Sequence, residues 1–323
     1  MRIFNDNMFE NINDVFISNN FDEIFSQEQF YSIAIFDILG FSNYISENGN
    51  KTILNLYHKL LNLAYKPDIL RMAPVPLSKD WKYSTYALNV NGYVRTAHFS
   101  DTFIIYVNYI FNRSDSCYLN NQKYEEYPLL LFEEQAKIFA PFLFNHSIFL
   151  TFLHTCMEFF CNAVVEGIPL RGCVSSGKAT MDSSNDIYFG ESLVEAARGE
   201  PSRKSLGISF GKSFNNYHPI YNDYFIPMFD YIKNDSKANF LSPMILDWPR
   251  FWDESPIFQK YSFEDCIRKM DSNPNFSEYY DNAIQMYKFS KKHRNWSKEI
   301  NRDNLKNIVD FYDVGREWYN LVK

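Results

Sequence analysis

The chain has 323 residues, a formal net charge of −7 and a pI near 5.5. A hydrophobic content of 46% is ample for a packed core, and the length allows one large domain or two smaller ones. The acidic balance argues against a general nucleic-acid binder, which presents a basic face, but leaves nucleotides open, because local Arg and Lys bind phosphate on acidic proteins.

Residues 1–27 read as a polar, Asn-rich lead-in without the basic segment and apolar run of a signal peptide. A continuous apolar strand follows over 31–41, ending at Gly40; such a run suits a strand covered on both faces. Ser42 stands where it would cap a short helix, and Asn48-Gly49-Asn50 breaks that helix. The next helix carries Ile53, Leu54, Leu56, Tyr57, Leu60 and Leu61 at helical spacing. Residues 93–107 read as two strands meeting at Ser100-Asp101, a turn-favouring pair. Residues 108–138 read as an insertion.

A long helix is expected over about 145–166, ended by Gly167-Ile168-Pro169. Its neighbourhood, 140–165, is apolar, but Asn145, His146, His154, Glu158 and Asn162 interrupt it, so a buried globular helix is expected and not a membrane span. A strand over 170–176 closes at Gly177, a helix runs from Glu191 to Arg198, and Ile208-Ser209-Phe210 is a later strand. From 247 onward the chain turns helical and more charged, with Trp248, Trp252, Trp296 and Trp318 for packing. The five cysteines form no C-x-x-C pair and no disulfide framework, which suits a reducing cytoplasm. The six His show no metal spacing.

This alternation predicts an α+β sheet domain with helices on one face. The expected organisation is a lead-in over 1–27, a sheet domain over 28–245 and a helical extension over 246–323 that packs against it.

Two aspartates stand out. Asp37 lies within Ile35-Phe36-Asp37-Ile38-Leu39-Gly40, and Asp101 lies between Phe99-Ser100 and Thr102-Phe103-Ile104. A carboxylate in an apolar run is costly to bury unless it is paired or binds a metal. Taken singly, each also reads as a turn or cap residue at a strand end. Arg198 alone reads as a surface salt-bridge residue, and Arg171 as a partner for an acid or a phosphate. The run Lys291-Lys292-His293-Arg294 reads as a solvated helix face.

Three segments, in order, resemble the class III nucleotidyl cyclases: Phe36-Asp37-Ile38-Leu39-Gly40-Phe41-Ser42, then Phe99-Ser100-Asp101-Thr102, then Gly190 to Arg198. The resemblance covers about 30–245 and implies a class III cyclase-like, ferredoxin-like sheet packed by helices. It implies that Asp37, Asp101 and the carbonyl of Ile38 ligate two Mg²⁺ or Mn²⁺ ions, hard cations suited to oxygen ligands. It implies that amides of Leu39, Gly40, Phe41 and Ser42 contact phosphate, and that Arg198 stabilises charge on the α-phosphate. It also implies a homodimer whose sites take Asp37 and Asp101 from one chain and Arg198 from the other.

The chain departs from the family's purine enzymes at the two base-selecting positions, which here are Ala97 and Ile187, with Asp186 one step away. The position of the transition-state Asn is Val194. Short bacterial cyclases of the Pycsar anti-phage system share a similar Asp-Ile-Leu-Gly-Phe-Ser loop and lack the same pair. That resemblance implies UTP or CTP as substrate, cUMP or cCMP as product, a cytoplasmic enzyme, and a separate effector that responds to the cyclic nucleotide. Tyr44 is the candidate for base contact, with a core tyrosine as the plainer reading. A purine cyclase with altered base contacts and a non-catalytic nucleotide-binding module stay open.

Overall fold

The sheet is built around β1 (Gln29–Ile38), whose apolar residues alternate between two cores. Ala34, Phe36 and Ile38 enter one buried cluster, and Tyr31, Ile33 and Ile35 enter the other. Period-two alternation gives a strand two faces, and here both are filled. The computed structural model describes residues 29–64, 71–76, 83–88, 94–108, 149, 151–213, 228–230, 241–270 and 274–300. The lead-in over 1–27 and the expected insertion beyond 108 lie outside these residues.

After β1 come α1 (Phe41–Glu47) and α2 (Asn50–Ala64), a separate hairpin of β2 (Arg71–Pro76) and β3 (Tyr83–Leu88), and the hairpin β4 (Arg95–Phe99) and β5 (Thr102–Asn108). Helix α3 (151–165) leads into β6 (Leu170–Asp182), β7 (Ile187–Gly190), α4 (Glu191–Gly199), a single 3₁₀ turn (Glu200–Ser202) and β8 (Gly207–Gly211). β9 (Met228–Asp230) and β10 (Leu241–Leu246) follow, then α5 (Trp248–Glu254), α6 (Phe263–Met270) and α7 (Ser277–Ile300).

The main sheet runs β4-β5-β1-β6-β8-β10-β9, with β7 also paired to β6. All of these pairings are antiparallel except β6 with β8. Thus β1, a helix pair, the β4–β5 hairpin, α3 and β6 form a β-α-β-β-α-β unit with spatial order β4-β5-β1-β6.

Helices cover both faces, not one. Leu56 and Leu60 of α2 and Phe152, Phe159 and Phe160 of α3 fill the first cluster, whereas Ala196 and Leu193 of α4 pack on the second. The physical reason is β1 itself, whose second face would otherwise leave Tyr31, Ile33 and Ile35 wet. Leu54, placed on the apolar face of α2 by spacing, is 57% exposed. β6 does not close at Gly177: it continues to Asp182 because β7 pairs along its far end, from Ala179↔Gly190 to Asp182↔Ile187. The β2–β3 hairpin, β7 and β10 are strands the sequence reading did not place.

The segment after 246 completes the first core. Trp248 and Trp252 are buried, and Trp248 lies 4.9 Å from Phe160 and 4.8 Å from Phe263, ring centre to ring centre. Ile267, Ala283, Ile284 and Met286 join the same cluster. Asp247 caps α5 by accepting from the Arg250 amide at 3.2 Å, and accepts from the Ser290 hydroxyl of α7 at 2.6 Å. Lys291 and Lys292 are exposed, as expected.

Candidate functional site

At the end of β1, Asp37 sits between two neighbouring strands, opposite Thr102 of β5 and Arg171 of β6. Opposed residues in a ladder share a face. Arg171 is therefore placed beside Asp37 by register alone, and its Nη2 donates to Asp37 Oδ2 at 3.0 Å. Asp101 occupies the β4–β5 turn, whose tightness puts Ser100 at φ +48°. Its carboxylate lies close enough to Asp37 for the two to interact electrostatically.

A third carboxylate enters from outside the predicted motifs. Gly199 ends α4 against β6, and a Cβ there would lie 2.4 Å from the Cys173 sulfur. Only glycine lets the helix end approach so closely, and Pro201 in the following 3₁₀ turn helps to end α4. Glu200, 8% exposed, is laid against Arg171, with Oε1 2.5 Å from Nε. The two are in ion contact. The ring of Tyr279, from α7, lies under the guanidinium with its centroid 5.7 Å from Cζ.

Burial is the largest influence on Asp37 and raises its pKa above the usual carboxylate range; Arg171 pulls it down and Asp101 pushes it up. Burial pushes Glu200 up to about 7 against the pull of Arg171, with Asp37 and Asp101 adding to the rise. Two carboxylates, those of Asp37 and Glu200, thus share one guanidinium, and the Asp101 charge acts on both. Tyr57 of α2 donates its hydroxyl to the Ser100 carbonyl, bracing the turn that carries Asp101, and its own pKa is raised by burial and then by the Asp101 charge.

No protein-family model matches the chain, and no curated protein matches it. Among solved structures it is similar to a bacterial light-regulated adenylyl cyclase, at 11% identity and a TM-score of 0.33, over 76% of this chain and 99% of that one. A likeness at that level carries no argument.

Asp37 and Asp101 are brought together; the other expected residues scatter around them. Ile38, Leu39 and Phe41 are buried, and the Leu39 amide donates to Pro169 O at 2.9 Å, so it is taken. Gly40 adopts φ +78° and heads α1 with no side-chain cap, so Ser42, exposed and one residue inside the helix, does not cap it. A glycine is what this left-handed position accepts, and a Cβ there would stand 2.8 Å from the Phe276 ring. Tyr44 is half-buried against the first core. Ala97 is buried in the second core, opposite Ile104. Ile187 is 48% exposed on β7. Arg198 is exposed in the last turn of α4 and makes no ion pair among the described residues, so within one chain it does not join the aspartates.

The oxygen donors suit a hard divalent cation: two adjoining carboxylates at a partly exposed strand end, with more negative charge than Arg171 balances. Among the described residues, no group of three His, Cys, Asp or Glu side chains is arranged to hold a metal. The sequence reading missed Glu200, Tyr279 and Phe276. Glu200 follows the predicted helix by two residues, and a carboxylate after Gly199 and before Pro201 was the available signal.

Proposed function

We propose that the chain is a metal-dependent pyrimidine nucleotide cyclase, with a class III cyclase-like, ferredoxin-like sheet, that converts UTP or CTP to cUMP or cCMP and pyrophosphate. The observation that carries this reading is the carboxylate pair, Asp37 at the end of β1 and Asp101 in the adjoining β4–β5 turn. The β4-β5-β1-β6 order of the sheet supports it.

Asp37, Asp101 and the carbonyl of Ile38 would hold two Mg²⁺ or Mn²⁺ ions, which supply Lewis-acid activation of a ribose 3′-hydroxyl and neutralise triphosphate charge. The 3′-oxygen attacks the α-phosphorus and passes its proton to solvent as the bond from that phosphorus to the pyrophosphate oxygen breaks. Arg198 stabilises the charge that builds on the α-phosphate. The amides of Gly40, Phe41 and Ser42, which open α1 and have no intrahelical acceptor, contact phosphate oxygens. The purine-selecting polar pair is replaced by Ala97 and Ile187, and Tyr44 is the candidate for contact with the base.

Arg198 reaches a site only if a second chain brings it. Its exposure on α4, one turn from the exposed Val194, and the exposed apolar residues Phe99, Ile187 and Phe189 support a homodimer. A bacterial anti-phage role, with a separate effector answering to the cyclic nucleotide in the cytoplasm, belongs to the same reading and rests on the sequence resemblance. Val194, in place of an Asn, favours a second reading, a nucleotide-binding module without turnover.

The deciding assay gives purified protein Mn²⁺ and each of ATP, GTP, CTP and UTP separately, with products identified by mass. A cyclic pyrimidine product that disappears in Asp37→Ala and in Asp101→Ala is expected. A purine product makes the protein a purine cyclase, and tight binding without turnover makes it a binding module. Mixing inactive Asp37→Ala with inactive Arg198→Ala restores part of the activity if each site draws on two chains.

A further inference from the structure

Arg171 is held from three sides by residues of three elements. Asp37 of β1 accepts at 3.0 Å, Glu200 beyond α4 lies at 2.5 Å, and the Tyr279 ring of α7 lies at 5.7 Å. Its side chain is 14% exposed and that of Glu200 is 9% exposed. A guanidinium keeps its charge at every physiological pH, so its location is a fixed element of the site's electrostatics.

We propose that Glu200 and Tyr279 are positioning residues that share Arg171 with Asp37 and retain it when it leaves, so that the guanidinium is the site's resident counter-charge and a divalent cation must displace it from Asp37. This rests on the reading of Asp37 and Asp101 as metal ligands, and deepens it. Asp37 Oδ2 is committed to Arg171. A cation settling on the aspartate pair competes for that oxygen and is repelled by the guanidinium beside it. Glu200 and the Tyr279 face lie off the aspartate pair and give Arg171 somewhere to stay once Asp37 is taken. Without them, release from Asp37 strands a partly buried charge, which is strongly unfavourable. The C-terminal helical segment thereby sets how readily the site loads.

A merely structural cluster predicts that disrupting any member loosens the site and weakens cation binding. Positioning predicts opposite signs. The test is titration of the full chain with Mn²⁺ alone, reading free Mn²⁺ by electron paramagnetic resonance, with thermal unfolding as a control. Arg171→Gln is expected to bind Mn²⁺ roughly 3- to 10-fold more tightly than wild type, the scale of removing a nearby partly exposed charge. Arg171→Lys, which keeps a charge at the site, is expected to bind Mn²⁺ less tightly than Arg171→Gln. Glu200→Gln and Tyr279→Leu bind about threefold or more weakly, because the guanidinium then leans wholly on Asp37, while Tyr279→Phe, which keeps the ring, does not change. Should Arg171→Gln fail to fold, Tyr279→Leu against Tyr279→Phe carries the test. If Arg171→Gln binds no more tightly than wild type while Asp37→Asn abolishes binding, the positioning role is overturned and the metal reading stands. If neither wild type nor Arg171→Gln binds Mn²⁺, both are overturned.

Discussion

Asp37 keeps a raised pKa even though it has an arginine in hand, because burial and Asp101 together outweigh Arg171. Glu200 shows the same balance more strongly, with its pKa at about 7. A carboxyl whose folded pKa exceeds its unfolded value binds its proton more tightly in the folded state. Its stabilising contribution is present below the unfolded pKa and is lost as pH rises through the folded one. Between about pH 4.5 and about pH 7, wild type should therefore lose thermal stability relative to Glu200→Gln. Paired melting curves across that window check it, and parallel curves would show that Glu200 is not buried as described. Both aspartates were legible in the sequence, since an acid interrupting an apolar strand is conspicuous from one line of residues. Glu200 and Tyr279 were not, because their role comes from β6 register and helix docking. Glu200 meets an arginine far away in sequence, and nothing local announces it.

Among the elements, the turn after β1 is under the tightest constraint. Gly40 stands at φ +78° with the Phe276 ring over it. Gly40→Ala meets both the left-handed backbone penalty and the ring, and should destabilise the fold by about 1–3 kcal/mol. Phe276→Ala in the same chain should recover the part due to the ring and leave the backbone part, which a double-mutant cycle by urea unfolding separates. A coupling of zero would mean that the ring does not press on Gly40. The β4–β5 hairpin and β1 were readable because dense β-branched and aromatic runs flank a turn pair. The second half of β6 was not: Lys178, Thr180 and Asp182 look like the end of a strand, and only pairing with β7 keeps them extended. Tertiary pairing overrides such local signals routinely.

At the scale of the whole molecule, the segment after 246 shares one core with the sheet. That it also touches the aspartate loop and Arg171 could not be read from helical periodicity, which fixes a face but not its docking partner. Trp248→Ala should cost about 3–5 kcal/mol, the range for deleting a large buried aromatic, with a lower urea midpoint as the readout. An unchanged midpoint would remove Trp248 from the core. The apolar residues Phe99, Phe189 and Val194 predict self-association. Phe189→Asp should shift sedimentation toward the monomer and, on the dimer reading, remove activity along with it.

The contact of Phe276 with Gly40 also sets a clock. Gly40 is synthesised before its covering ring, which follows roughly 10–50 s later at about 5–20 residues per second. A nascent chain stopped at 245 already carries Asp37, Asp101, Arg171 and Glu200, but neither Phe276 nor Tyr279 nor the tryptophans that seal the core. Unfinished chains therefore hold the acids without the parts that seat them, and only a translation product that has passed residue 279 can present the assembled cluster.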